Sequence, residues 1–524
     1  MKPLRWWQRG AIYQIYPRSF SDSDGDGIGD LGGVAGRLDY IASLGAVAIW
    51  LSPFYPSPMA DFGYDVADYT DVDPVFGTLA DFGRLVEEAH ARDIRVVIDW
   101  VPNHTSDRHP WFEESRRGRD SAKRDWYVWR DPAPGGGPPN NWTSSFRAAG
   151  PAWTLDEASG QYYLHSFLPQ QPDLNWDNPE VEAAMHDVLR FWLRRGVDGF
   201  RMDVIQKIAK DPELGDNEPE LRHDEDWPAI HERLRRIRAV VDEFGDRMIA
   251  GEVYLLDLRR LVAYVSTGDE LDLAHNFVFL HQPWDAQAIR ASVEEFAALA
   301  GAVAWPAWFL SNHDHPRVAT RFAGADAGSG ERRARLAAML TVTLRGTPFI
   351  YQGEELGLPD AEVPPERIVD VDGRDPERAP IPWGPPSQAG PGAGFTSGEP
   401  WLPIVADAER LAVAAQARDP GSTLSFVRRL LALRARSDAL QGGAQRSVDA
   451  PPGLFCFVRK AARERLLVAL NFTSERVPLG LRGAAAIQLS THVMRRATDV
   501  DLTDVVLEPD EGLVMNLPID AGPD

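Results

Sequence analysis

Residues 199–204 read Gly-Phe-Arg-Met-Asp-Val, a short apolar run that ends with Arg201 and Asp203. Charges inside such a run are costly unless they are partnered. The design recurs along the chain. Residues 95–104 (RVVIDWVPNH) bring Asp99, Asn103 and His104 to the end of a run. Residues 248–253 (MIAGEV) bring Glu252, and 308–314 (WFLSNHD) bring His313 and Asp314.

Outward from these, the strand-like runs are Ala11–Tyr16, Ala46–Leu51, Arg95–Val101, Gly199–Asp203, Met248–Val253, Asn276–Leu280, Trp308–Asn312 and Phe349–Gly353. Most are rich in Val, Ile, Phe or Trp, as buried parallel strands are. Helical periodicity lies between them, as in Leu79–Arg92, Val181–Arg195 and Glu331–Leu344. Strands alternating with helices predict an α/β fold, a (β/α)8 TIM barrel. The stretch between His104 and Asp173 is too long for a barrel loop and predicts an inserted domain after the third strand. After a helix at Leu424–Arg436, short strands at Leu454–Arg459, Leu466–Asn471 and Gly512–Leu517 predict a C-terminal β-sandwich. The expected domains are therefore barrel at 1–104 and 174–443, insertion at 105–173 and sandwich at 444–524. The Pro/Gly-rich stretch Glu362–Pro403 predicts a long loop over the barrel mouth.

The net charge of -23 argues against nucleic-acid or anionic-membrane partners, which require basic patches. No stretch approaches the ~18 apolar residues of a membrane span. Cys456 is the only cysteine, so no intramolecular disulfide forms. The N-terminus (MKPLRWWQRGAIYQIYPRSF) lacks the apolar run of a signal peptide. Together these predict a cytoplasmic protein. Nothing in the sequence speaks to an oligomeric state.

Active groups of such barrels sit at the C-terminal ends of the strands. Asp203, Glu252 and Asp314 are thus expected to meet at one mouth. Glycoside cleavage needs two carboxyl groups, one at the anomeric carbon and one that protonates the leaving oxygen. A third would hold sugar hydroxyls and repel its neighbours' charge. Arg201, on Asp203's side of the strand, would keep it ionised. His104 and His313 would donate to hydroxyls. No organic cofactor is needed. The competing reading, buried ion pairs that stabilise the barrel, fits one strand end but not four.

These motifs, in order and spacing, resemble glycoside hydrolase family 13, the α-amylase family. The resemblance spans nearly the whole chain. PRSFSDSDGDGIGDL, the QPDLNW segment at 171–176 and the C-terminal strands resemble its α-glucosidase and oligo-1,6-glucosidase branch. It implies that Asp203 is the nucleophile, Glu252 the acid/base and Asp314 the transition-state stabiliser. The mechanism would be retaining, with carboxyls about 5–5.5 Å apart. The substrate would be a short oligosaccharide. MADFGYDVADY carries Asp61 and Tyr64, which match the family's pocket-closing pair. RDPERAPIPW carries Arg378, which matches an arginine that pairs with that aspartate. Phe146, Phe167 and Gln171 resemble pocket residues of the insertion. A pocket closed at one end implies exo-action.

Asp22, Asp24, Asp26, Ile28 and Asp30 stand at the spacings of a calcium loop, with Gly33 where a bidentate Glu would stand. Relatives bind structural Ca2+ there. The signals for linkage disagree. Val204 after the nucleophile accompanies α-1,6 cleavage in relatives, whereas VIQKIAKDPELGDN resembles enzymes that prefer α-1,4 bonds. The expectation is an α-glucosidase acting on maltose and short malto-oligosaccharides. An oligo-1,6-glucosidase and a glucosyl-transferring enzyme are the alternatives. A non-catalytic binding protein on this fold is disfavoured, because Asp203 and Glu252 are both present.

Overall fold

The computed structural model describes residues 3–519, apart from 302, 327, 494, 496 and 497. Eight parallel strands form the central sheet, in chain order Ile12–Ile15, Ala48–Leu51, Arg95–Trp100, Gly199–Met202, Met248–Gly251, Leu273–Ala274, Ala307–Trp308 and Thr347–Tyr351. Each strand after the first pairs with its predecessor except the seventh, and the first pairs with the eighth. A single parallel bridge between His275 and Ala307 joins the sixth strand to the seventh and closes the ring. The result is the expected TIM barrel.

The intervening helices carry strong boundary signals. Leu79–His90 starts with a capping box in which Thr78 and Asp81 satisfy each other's backbone donors. Pro179–Leu193 has Asn178 as N-cap and proline in its first turn, and it buries Val181, Met185, Val188, Leu189 and Trp192 against the barrel. Leu38–Leu44 stops at Gly45, whose φ of 85° closes the helix.

The sixth strand departs from expectation. It is Leu273–Ala274, and the apolar run assigned to it forms a short helix, Phe277–Leu280, capped by Asn276. A short apolar run does not by itself distinguish a buried strand from a buried helix. Between the third and fourth barrel strands lies a three-stranded antiparallel sheet, with Gln161–Leu164 between Trp129–Arg130 and Trp153–Asp156. The C-terminal region is a six-stranded antiparallel sheet. One face, with Phe455, Phe457, Val468 and Leu470, joins the barrel's main core. The other covers Cys456, Ala469, Leu513 and Met515 with a two-stranded ribbon of Val477–Pro478 and Val506–Leu507. The second layer of the expected sandwich is thus only this ribbon and its flanking loops.

Candidate active site

The strand ends open into one cavity of about 420 Å³. Its lining includes Asp203, Glu252, Asp314, Asp61, Tyr64, His104, Phe146 and Phe167. The chain therefore brings these eight positions together. Gln171, Arg201, His313 and Arg378 do not line it; they stand behind the wall and hold the groups that do.

Arg201 is the hub of one side. Its Nη1 donates to Asp99 and Asp203 at 2.8 Å each, and its Nη2 donates to Glu252. Burial pushes the Asp203 carboxyl well above the usual carboxylate range; Arg201 opposes this, while Glu252 and Asp99 add to it. Asp203 and Glu252 share one guanidinium. Asp99 is pushed up to about 6, first by burial and against the pull of Arg201.

The opposite side is built on two arginines. Arg374 Nη2 lies 2.6 Å from Asp61 Oδ1, and its Nη1 lies 3.0 Å from Asp314 Oδ1. Arg378 reaches Asp314 at 2.8 Å and the carbonyl of His313, and it is fully buried. The partner of Asp61 is therefore Arg374, not the expected Arg378. The arginines stand four residues apart, both bind Asp370, and only Arg374 reaches the cavity. Despite burial, Asp314 is held well below the usual carboxylate range beside His313, Arg374 and Arg378. Burial drives His313 well below its ordinary value and keeps it neutral, so the guanidiniums supply the charge.

Asp61 stands in a turn in which Met59 and Phe62 adopt φ of 65° and 45°. Such conformations cost about 1–3 kcal/mol each and persist only where other contacts impose them. Here Asp65 does so, accepting from Ala60 N, Asp61 N and Ser57 Oγ at 2.8–3.0 Å. Gln171 then links Asp61 to His104, at 2.9 and 3.1 Å. Tyr64 stacks on His313 and hydrogen-bonds to it and to Asp99. His104 is pulled down to about 4 by burial and is neutral at pH 7. The closed end thus offers one ion pair and neutral donors within an aromatic wall, a setting suited to the hydroxyls of one sugar ring.

Sequence reasoning missed Gln206, Lys207, Arg222, Glu225, Tyr254, His315, Asp372 and Arg374, which also line the cavity. Except for Arg374, the first residue of the segment RDPERAPIPW, and Gln206 and Lys207, on the short 3-10 helix Ile205–Ile208, they lie on loops with no periodicity to mark them. The segment that supplies Arg222 and Glu225 is clasped to the insertion. Asn141 and Asn217 bond reciprocally at 2.7 and 3.0 Å, Asn140 donates to Leu214 O, and Trp142 Nε1 donates to Gly215 O.

Away from the cavity, the acidic loop after the first strand gathers Asp22, Asp24 and Asp30, with carboxylate oxygens within 4.8 Å of one another. Asp26 is not in that cluster; its carboxylate accepts from Ile28 N. Asp30 also caps the helix Leu31–Ala35. Three mutually repelling carboxylates form a donor set that fits a hard cation.

The sequence profile described as "Alpha amylase, catalytic domain" matches residues 14–443. A probable alpha-glucosidase of Rhizobium meliloti (strain 1021) is 45% identical, with 90% of each chain covered. An oligo-1,6-glucosidase of Parageobacillus thermoglucosidasius is 36% identical over 98% of this chain and 99% of its own. The crystal structure of an alpha-glucosyl transfer enzyme, XgtA, superposes with a TM-score of 0.90 at 39% identity, covering 98% of this chain and all of XgtA's.

Proposed function

The chain belongs to the α-amylase family and is a glycoside hydrolase, and on that premise we propose that it is a retaining, exo-acting α-glucosidase. It releases glucose from the non-reducing ends of maltose and short α-gluco-oligosaccharides. The observation that carries this reading is the ion pair of Arg374 with Asp61 and Asp314, facing the Arg201 cluster across one cavity.

In this mechanism Asp203 attacks the anomeric carbon while Glu252 protonates the departing oxygen, giving a covalent β-glucosyl-enzyme. Glu252 then takes a proton from water, which releases α-glucose. Arg201 opposes the effect of burial on Asp203 and so favours the anionic form that attacks. Asp314, held ionised by its arginines, accepts hydrogen bonds from ring hydroxyls that strengthen as positive charge develops on the sugar. Asp61 and Arg374 take the outer hydroxyls, which leaves no path for a longer chain beyond them. That is the basis of exo-action.

For linkage, α-1,4 is favoured. The α-1,6 alternative rests on Val204, whose side chain lines the cavity next to Asp203. Transfer to another acceptor uses the same residues. We also propose that structural Ca2+ binds at Asp22, Asp24 and Asp30, where it would offset their repulsion. A single, buried cysteine, Cys456, suits a cytoplasmic location.

The test is product analysis on maltose, isomaltose, maltotriose and sucrose, with the first-formed anomer read by proton NMR. Glucose formed first as the α anomer, with maltose cleaved faster than isomaltose, supports the reading. First-formed β-glucose, or internal cleavage of longer chains, overturns it.

A further inference from the structure

Asp61 and Arg374 stand on two irregular arms, a turn after the second barrel strand and a stretch after the eighth. Behind the cavity wall both arms are fastened to one dipeptide, Arg18 and Ser19, in the short 3-10 helix Pro17–Ser19 that follows the first strand. The Arg18 guanidinium lies 5.4 Å from the ring centre of Phe62, the neighbour of Asp61, and 4.9 Å from that of Trp401, on the arm that carries Arg374. The two rings meet at 5.7 Å. Arg18 Nη1 also lies 3.9 Å from the Met59 sulfur, so Arg18 touches both non-glycine residues of the turn that adopt positive φ. Ser19 holds the second arm. Its hydroxyl donates to Arg378 O and accepts from Trp401 Nε1, and its carbonyl accepts from Ile381 N. Arg18, Phe62 and Trp401 do not line the cavity.

Among the described residues Arg18 forms no ion pair, and its Nε has no hydrogen-bond partner. Burial pulls the guanidinium below its ordinary value, and Asp73 and Asp26 oppose this only from beyond ion-pair distance. What Arg18 meets instead is two aromatic rings and a thioether. A flat, weakly hydrated guanidinium stacks on rings while keeping its charge, which an ammonium does less well. The plain alternative is packing, a half-buried arginine whose stem covers apolar surface. Packing alone does not explain why one ring comes from each arm. Nor does it explain what holds the strained turn on its outer side, since Asp65 grips only the backbone of Ala60 and Asp61 and the hydroxyl of Ser57.

We propose that Arg18 is a positioning residue for the sugar: set between Phe62 and Trp401, it fixes the turn that carries Asp61 against the arm that carries Arg374, and so aligns the pair that takes the outer hydroxyls of one glucose. The proposal rests on the glucosidase reading and places part of its substrate affinity outside the cavity. Asp203 and Glu252 are held separately, by Arg201. Loosening the turn should therefore change how tightly glucose is bound more than it changes the chemical step.

The experiment measures hydrolysis of 4-nitrophenyl α-glucoside, and its competitive inhibition by glucose, in Arg18→Ala, in Arg18→Lys, and in Asp61→Asn with and without Arg18→Ala. Arg18→Ala should lower kcat/KM by about tenfold, the size of a lost cation–π contact, through KM rather than kcat. The inhibition constant of glucose should rise by a similar factor. Arg18→Lys should recover little, since it restores the charge but not the flat stack. In the Asp61→Asn background Arg18→Ala should cost no more than about twofold, because residues that act through one another are not additive. Circular dichroism checks folding, and Phe62→Leu, which keeps apolar bulk but removes the ring, serves if Arg18→Ala does not fold. Wild-type kinetics with only a lower melting temperature is what packing alone predicts and would overturn the proposal. So would wild-type kinetics in Arg18→Lys, a loss confined to kcat, or an equal loss in both Asp61 backgrounds. A wild-type enzyme inactive on 4-nitrophenyl α-glucoside, maltose and isomaltose alike would instead remove the glucosidase reading itself.

Discussion

Arg374 and Asp61 meet at 2.6 Å although 313 residues separate them in the chain. Both residues line the cavity, so the contact forms part of its wall. Arg374→Ala leaves Asp61 buried and loses one of the two guanidiniums on Asp314. Breaking such a pair costs about 3–5 kcal/mol, so kcat/KM on maltose should fall by at least about 100-fold. Arg374→Lys should recover only part, since it keeps the charge but not the fork. Arg378→Ala acts differently, because that side chain is fully buried and meets the cavity only through Asp314, which keeps Arg374 as a partner; its first effect should be a lower melting temperature. Unchanged kinetics in Arg374→Ala would remove it from substrate binding.

Asp203→Ala should reduce turnover of 4-nitrophenyl α-glucoside by about 10⁴-fold or more, because nothing else near the anomeric carbon can form the glycosyl bond. Glu252→Gln should cost far more on maltose, which needs protonation of its leaving oxygen, than on an activated aryl glucoside. Equal losses on both substrates would count against Glu252 as the acid.

Glu377 offers a pH test. Burial pushes its carboxyl up to about 8. An acid raised in this way binds its proton more tightly folded than unfolded. Its stabilising contribution is complete below the unfolded value, near 4.5, and is lost as pH rises toward 8. The wild-type melting temperature should therefore decline between pH 5 and pH 8 by more than that of Glu377→Gln. Parallel melting curves for the two proteins across that range would remove Glu377 from the pH response.

Chelation should lower the melting temperature if Ca2+ binds the folded loop, with the shift growing with the calcium concentration it abolishes. Asp24→Ala should mimic it, since Asp24 is exposed and its loss disturbs only the acidic cluster and the turn bond from Asp26 N. An identical melting temperature with and without chelator retires the metal.

Much of this was legible in the sequence, and for a definite reason. Asp99, Arg201, Asp203, Glu252 and Asp314 interrupt or terminate apolar strand-like runs, where a charge is conspicuous. The sixth strand was not legible, because two residues are too few for any period to register. Arg374 was not, because it and Arg378 are equivalent by composition and both reach Asp370 and Asp314; only the path of the loop decides which also meets Asp61. Tyr254, Glu225 and His315 escaped because their role depends on where irregular loops cross, which no local pattern encodes.

The single bridge between His275 and Ala307 has a further consequence. Asp203 and Glu252 follow the fourth and fifth strands, on one side of that seam, and Asp314 follows the seventh, on the other. Backbone pairing across the seam is the thinnest in the ring, so the sheet alone registers the third carboxylate poorly against the first two. The loops supply the missing register: Arg374 and Arg378, from beyond the eighth strand, clamp Asp314 from above, and Arg374 also holds Asp61, from beyond the second. Loosening that clamp should let the ring breathe at its thinnest joint, and amide exchange around residues 307–308 would then report on the alignment of the catalytic groups.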